Sequence, residues 1–314
     1  MVFREGKLRC FLLNIFRPLG GFVELMCAWW NCRLSPPKNG ATQYAITDGF
    51  NTSVCELLER GVDILGLCEV ARNHFSHLEQ LLEDNDLGRY KILDLYSSGK
   101  SIDDFCLIYN SKKFSAAIAL DSANIRDALT NTWLKAGVFA QLQFMDGENL
   151  FVGLSHWQSR QTFAEGSVNR LRLGQALRTK ITEIMDESPS SPIILFGDYN
   201  DEPYHDSIVK GIGASRDAEF VRKRPHYFYN PYWGCLGSRE GTLPLGSYVH
   251  ASAIEGSGGA VYDQILFSSH FLRDWIFQCA GSIVGDIPTL KSEVVWSDIS
   301  DHYPVLSHLV RSQL

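Results

Sequence analysis

The chain has 314 residues, 45% of them hydrophobic and 21% charged, with a formal net charge of -7. This composition excludes global disorder. The negative balance excludes a protein that coats nucleic acid through bulk positive charge, so a phosphate substrate would need a cation or a few local arginines in the cleft. Eight cysteines contain no CxxC pair, and several sit inside apolar patterns. Free thiols in a reducing compartment are expected. No signal or anchor pattern is legible, so a cytoplasmic location without a membrane anchor is the expectation.

In chain order, Arg9 to Asn14 reads as a strand. Residues 17–42, ending in Pro36-Pro37-Lys38-Asn39-Gly40, read as an insertion, with the apolar run Phe22 to Trp30 forming a surface loop. Residues 44–60 carry helical periodicity through Ile46, Phe50, Val54, Leu57 and Leu58, and stop at Gly61. A buried strand at 63–67 and a helix at 73–84 follow. Strands are expected at 89–96, 104–109, 114–120, 132–144 and 149–155, then a long helix at 167–186 and a strand at 192–196. Residues 221–259, rich in aromatic, Gly and Pro residues, read as a long functional loop. Strands at 260–267, 276–283 and 304–311 close the chain. No linker or repeat divides the sequence, which reads as one domain over 1–314.

Three polar clusters stand at the ends of apolar runs. Glu69 follows Ile64-Leu65-Gly66-Leu67-Cys68. Gly197-Asp198-Tyr199-Asn200 follows Pro192 to Phe196. Ser300-Asp301-His302-Tyr303-Pro304-Val305 leads into the last strand. Hydrolysis of a phosphodiester requires a Lewis acid, a base for water and donors to the phosphoryl oxygens. Glu69 and Asp301 offer hard oxygens suited to Mg²⁺. Asn14 and Asn200 offer amides, and His156 and His302 offer imidazoles. Asp263 stands inside a strand pattern, where a carboxylate is costly unless paired, and a histidine is its natural partner. Each residue also has a structural reading. Gly-Asp-x-Asn is good turn chemistry, His156 fits a core position, and Tyr227, Phe228, Tyr229, Tyr232 and Trp233 can pack their own loop.

The ordered set Asn14, Glu69-Val70, His156, Gly197-Asp198-Tyr199-Asn200, Tyr262-Asp263 and Ser300-Asp301-His302-x-Pro-Val resembles the endonuclease/exonuclease/phosphatase superfamily over residues 8–311. The resemblance implies an α/β fold, a four-layer α-β-β-α sandwich with two mixed sheets packed face to face. It implies a phosphoesterase dependent on Mg²⁺ or Mn²⁺. Glu69 resembles the main metal ligand, with Asn14 and Asp301 in the metal shell. Asp198 and Asn200 resemble the pair that positions the attacking water. His156 resembles the phosphate-binding histidine, and Asp263 with His302 the carboxylate–imidazole pair. The family often supplies an acidic partner for the first histidine; Asp103 is the candidate. A DNA-contacting arginine follows the metal glutamate in some members; here Ala71 holds that place and Arg72 follows.

Two basic groups remain. Arg160, Arg170, Arg172, Arg178 and Lys180 fit either a solvated helix face or a substrate surface. Arg222, Lys223, Arg224 and Arg239 lie among Tyr229, Trp233 and other aromatics, a mixture that suits a nucleic-acid strand. The candidate substrate contacts are Arg72, Arg160, Arg224, Tyr229 and Trp233. A nuclease acting on DNA, or on RNA, leads. A phosphatase or phosphodiesterase for a small phosphorylated molecule and a non-catalytic binding protein on the same fold are the alternatives.

Overall fold

A computed structural model describes residues 22–34, 46–98, 102–128, 130–237, 246–248, 259–285 and 299–312. Two large mixed sheets dominate it. The six-stranded sheet runs, in spatial order, Trp275–Ile283, Val305–Ser312, Phe22–Asn31, Ile64–Cys68, Phe105–Asn110, Tyr90–Asp94. The seven-stranded sheet runs Ala214–Ser215, Phe228–Tyr229, Asp263–Ser268, Ile193–Asp198, Asn149–His156, Val138–Phe144, Phe114–Leu120.

The stretch expected to be an insertion contains the strand Phe22–Asn31, which lies inside the first sheet. It pairs antiparallel with Val305–Ser312 and parallel with Ile64–Cys68. A strand covered on both faces carries apolar residues at successive positions rather than in alternation. Leu25, Cys27 and Trp29 enter the core between the sheets, while Met26, Ala28 and Trp30 face the outer helices. Glu24 sits at its exposed beginning. The expected strand Arg9–Asn14 lies outside the described residues.

The inter-sheet core joins Leu25, Trp29 and Leu107 of one sheet to Val152, Leu154, Phe196 and Ile265 of the other. Gly66 leaves room for the Trp29 indole, because a Cβ there would stand 2.9 Å from its ring. Helices Asp48–Glu59 and Phe75–Asp84 cover the outer face of the first sheet through Phe50, Val54, Leu57, Leu78 and Leu82. Thr47 caps the first of these, its hydroxyl accepting from Phe50 N at 3.1 Å. Helix Val168–Glu187 covers the second sheet through Leu173, Leu177, Ile181 and Ile184. The order is helix, sheet, sheet, helix, as the sequence led us to expect. Among the described residues no helix is long and apolar enough to cross a membrane.

Candidate active site

Strand polarity brings the polar clusters to one edge of the sandwich. Asn31, Glu69, His156 and Asp198 end or follow parallel neighbours, with Asn31 opposite Cys68 and His156 opposite Asp198. Asp263 begins an antiparallel strand and pairs with Asp198. His302 enters just before the strand that pairs with Phe22–Asn31.

His302 and Asp263 form the expected pair. Nδ1–H of His302 donates to Asp263 Oδ2 at 2.7 Å, and both groups are buried. The second Asp263 oxygen accepts from the Trp29 indole at 3.0 Å. Nε2 of His302 faces Asp198 Oδ2 at 3.7 Å. Burial alone would lower the His302 pKa, but the carboxylates of Asp263 and Asp198 outweigh it and raise the pKa to about 10. Ser300 fixes the approach, donating its hydroxyl to Asn31 O at 2.7 Å and accepting from His302 N at 3.0 Å.

The sequence placed an asparagine of the metal shell at Asn14, which lies outside the described residues. The asparagine beside Glu69 is Asn31. Its Nδ2 donates to Glu69 Oε1 and to Asp198 Oδ2, each at 3.1 Å, and its Oδ1 accepts from Arg33 N. Asp103 is not the carboxylate that faces His156. Its carboxylate accepts from Asn124 Nδ2 and from Ser97 Oγ. The next residue, Asp104, faces His156 Nδ1 at 3.8 Å, a charge contact rather than a hydrogen bond. Successive strand residues point to opposite faces, so an error of one position selects the wrong carboxylate. His156 Nε2 stands 3.5 Å from Glu69 and 3.9 Å from Asp198. Burial pushes the His156 pKa down, but Asp104 and Glu69 reverse this and raise it. Burial is also the main reason the Glu69 carboxyl lies above its usual range.

Asn200 closes the set. Its backbone N donates to Asp198 Oδ1 at 3.0 Å and its Nδ2 to Trp157 O at 2.9 Å. Its φ is +51°, and Glu69 has φ +57°. Asparagine tolerates this left-handed region; for glutamate it is uncommon and marks backbone held in place by its surroundings. Asp301 lies 3.8 Å from Arg33, a rim residue whose sequence context gave no signal of its place.

The donor set fits a divalent cation. Asp198, Asp263 and His302 lie within 4.8 Å of one another, but Asp263 and one imidazole nitrogen are already bonded to each other. That trio reads as a proton-handling group. Outside the Asp263–His302 pair, Glu69, Asp104, Asp198 and Asp301 are the carboxylates that can offer oxygen to a hard ion. The site holds five carboxylates (Glu69, Asp104, Asp198, Asp263, Asp301) beside two imidazoles, Arg33 and Arg160.

The expected substrate contacts separate into two groups. Arg160 lies at the site: its Nε donates to Asn200 O at 3.0 Å, and its guanidinium covers the Tyr262 ring at 4.8 Å. Arg72 is on the rim, paired with Asp94 at 3.5 Å. Trp233 lies 6.3 Å from Tyr204, with Arg216 stacked on its ring at 5.0 Å. Tyr229 and Arg224 do not reach the site. Tyr229 pairs with Phe267, four residues along the strand from Asp263, and packs on Phe277. At about 3.3 Å per residue that is roughly 13 Å away. Arg224 stacks on Phe220 in the helix Ala218–Arg222, whose Arg222 donates to Leu272 O beyond the far end of that strand. Tyr248 was not singled out from sequence; its ring lies 4.8 Å from the His302 ring and stacks on Tyr262 at 5.3 Å.

Residues 44–311 match the Endonuclease/Exonuclease/phosphatase family, and the chain belongs to that family. It is a phosphoesterase of this superfamily by sequence, fold and site class. Similar solved structures include the human Nocturnin catalytic domain with bound sulfate, at 18% identity and TM-score 0.56, covering 92% of this chain and 96% of that one. TDP2 from D. rerio complexed with single strand DNA product matches at 17% identity and TM-score 0.54, covering 91% and 98%. A mannosyl-6-phosphatase from Bacteroides thetaiotaomicron matches at 17% identity and TM-score 0.56, covering 91% and 99%. No curated protein matches the chain.

Proposed function

We propose that the protein is a Mg²⁺- or Mn²⁺-dependent nuclease that hydrolyses phosphodiester bonds in DNA, with RNA as a second polymer of the same chemistry. The observation that carries the hydrolytic reading is the buried His302–Asp263 pair facing Asp198, beside a Glu69–Asn31–Asp198 bridge. A cation held by Glu69, with Asp198 and Asp301 near it, would supply Lewis acidity to a phosphoryl oxygen. Asp198 and Asn200 orient the attacking water. His156 donates to the phosphate. His302 exchanges a proton at Nε2, the nitrogen left free by Asp263.

Support for a nucleic-acid substrate comes from the rim. Tyr204 is 48% exposed, packs against Trp233, and is followed outward by Arg216. Aromatic faces with interleaved arginines bind single-stranded nucleic acid through stacking and phosphate contacts. The TDP2 neighbour with single strand DNA product agrees with this choice. Glu165 and Glu202 flank the same rim and limit its positive character. They favour a short or small phosphorylated substrate as the second reading.

The test is hydrolysis of single-stranded DNA, plasmid, RNA, bis(p-nitrophenyl) phosphate and a panel of phosphomonoesters with Mg²⁺ or Mn²⁺. Nucleic-acid cleavage that is lost in EDTA and reduced by at least about 100-fold in Glu69→Gln is expected. Activity on phosphomonoesters alone selects the second reading, and full activity in EDTA removes the metal.

A further inference from the structure

Arg170 is 1% exposed and occupies the first turn of the helix Val168–Glu187. Both circumstances oppose a cation: burial disfavours its charge, and the positive end of the helix dipole repels it. The guanidinium offsets these costs with a fan of contacts. Nε donates to Phe163 O at 3.0 Å, Nη1 to Tyr199 O at 3.2 Å and Nη2 to Gln158 O at 2.9 Å. Asp201 Oδ1 stands 3.5 Å from Nε. Asp201 is itself held by Ser207, whose hydroxyl donates at 2.5 Å, and faces Arg160 at 3.5 Å.

The three carbonyls belong to the two segments that leave the site. Gln158 and Phe163 follow His156, and Tyr199 lies between Asp198 and Asn200. The two strands end side by side, with His156 opposite Asp198, and no further ladder ties them once they diverge. Trp157 N to Asp198 O at 2.9 Å is the last backbone bond before the loops. Arg170 spans the gap beyond it.

We propose that Arg170 is a positioning residue of the phosphoesterase: it clamps the His156 loop to the Asp198–Asn200 loop and so fixes the spacing of the phosphate-binding imidazole from the water-orienting pair. The proposal rests on the hydrolytic reading above, while the clamp itself is a property of the two loops. A guanidinium is needed because it offers five donors in a rigid planar fork. A lysine provides one point charge and cannot meet three carbonyls in these directions. A purely stabilising role would be served as well by a packed apolar side chain, since buried charges rarely add net stability.

The experiment compares Arg170→Lys and Arg170→Met with wild type at a temperature where circular dichroism shows each to be fully folded. Hydrogen exchange is read at residues 157–163 and 199–201, and kinetics are read on bis(p-nitrophenyl) phosphate. Exchange should quicken in both loops and not in the strands. The kcat should fall about 10- to 100-fold with KM nearly unchanged, because displacement of about 1 Å costs rate rather than binding. Low, non-denaturing guanidinium should restore part of the activity of Arg170→Gly. Unchanged exchange in both loops overturns the clamp, whatever the substrate. Quickened exchange with wild-type kcat overturns the positioning role. If wild type hydrolyses no phosphoester, the functional reading fails, and the exchange result still decides the clamp.

Discussion

The Trp29 indole of one sheet donates to Asp263 Oδ1 of the other at 3.0 Å, near the edge where the polar clusters meet. This bond occupies one carboxylate oxygen and turns the second toward His302 Nδ1. The residue that orients the Asp263–His302 pair is therefore also a core residue, in contact with Phe105 at a ring distance of 6.4 Å. Trp29→Phe keeps most of the packing and removes the donor. Hydrogen bonds to charged groups contribute about 1.5–3 kcal/mol. Thermal denaturation should register a loss of that order, and kcat should fall roughly tenfold with KM little changed. A Trp29→Phe enzyme with wild-type kcat means that Asp263 needs no second anchor.

The imidazole of His302 gives a pH prediction. Its pKa is raised to about 10 in the folded, metal-free protein, by the carboxylates of Asp263 and Asp198 against the opposing effect of burial. A raised pKa means that the folded state binds the proton more tightly than the unfolded chain. The stabilisation is present in full below about pH 6.5, the unperturbed histidine value, and is lost as pH rises through about 10. Nitrogen chemical shifts of the imidazole, recorded without metal, should show it protonated at pH 8. Asp263→Asn should move that titration toward the ordinary range and flatten the alkaline slope of stability. A neutral ring at pH 7 in the wild-type protein contradicts the charged pair.

Much of this site was legible because its motifs are local. Gly-Asp-Tyr-Asn and Ser-Asp-His-x-Pro-Val each put their functional groups within four residues, at the boundary of an apolar run. Long-range geometry then only has to bring strand ends together, which a two-sheet sandwich does. What failed were single residues fixed by parity or by choice of strand. Arg9–Asn14 and Phe22–Asn31 are both apolar runs ending in asparagine, and the second, read as part of an insertion, is a strand inside the first sheet. Asp103 and Asp104 differ only in which face of the chain they point to. Arg170 was detectable: it precedes Leu173 and Leu177 by three and seven residues, which puts it on the buried face of its helix. Tyr229 and Arg224 were chosen by composition, which says nothing about which end of a strand a loop meets.

The asparagine assignment has a direct test in paired variants. Asn31→Ala removes a donor shared by Glu69, which is partly exposed, and the buried Asp198. Turnover should fall by about 10²-fold or more, and Mg²⁺ affinity measured by calorimetry should weaken. Asn14→Ala should be close to wild type in both. The reverse pattern would return the first-strand role to Asn14.

The rim residues separate a substrate channel from loop packing. Trp233 adjoins Tyr204 and carries Arg216 over its ring, and Tyr204 packs on His205, which bonds Glu165 and through it Arg160 at the site. Tyr229 and Arg224 lie toward the other end of the strand Asp263–Ser268. Stacking of a base on an aromatic side chain is worth about 1–3 kcal/mol. Trp233→Ala should therefore raise KM for a single-stranded oligonucleotide by roughly 5- to 150-fold, and Arg216→Ala should reduce the salt dependence of binding by about one phosphate contact. Neither should alter hydrolysis of bis(p-nitrophenyl) phosphate, which is too small to reach them. Tyr229→Ala and Arg224→Ala should leave both substrates unaffected in the folded protein. Equal effects of all four variants on the small substrate would assign the whole region to folding, and an oligonucleotide KM that ignores Trp233 would take the nucleic acid off this rim.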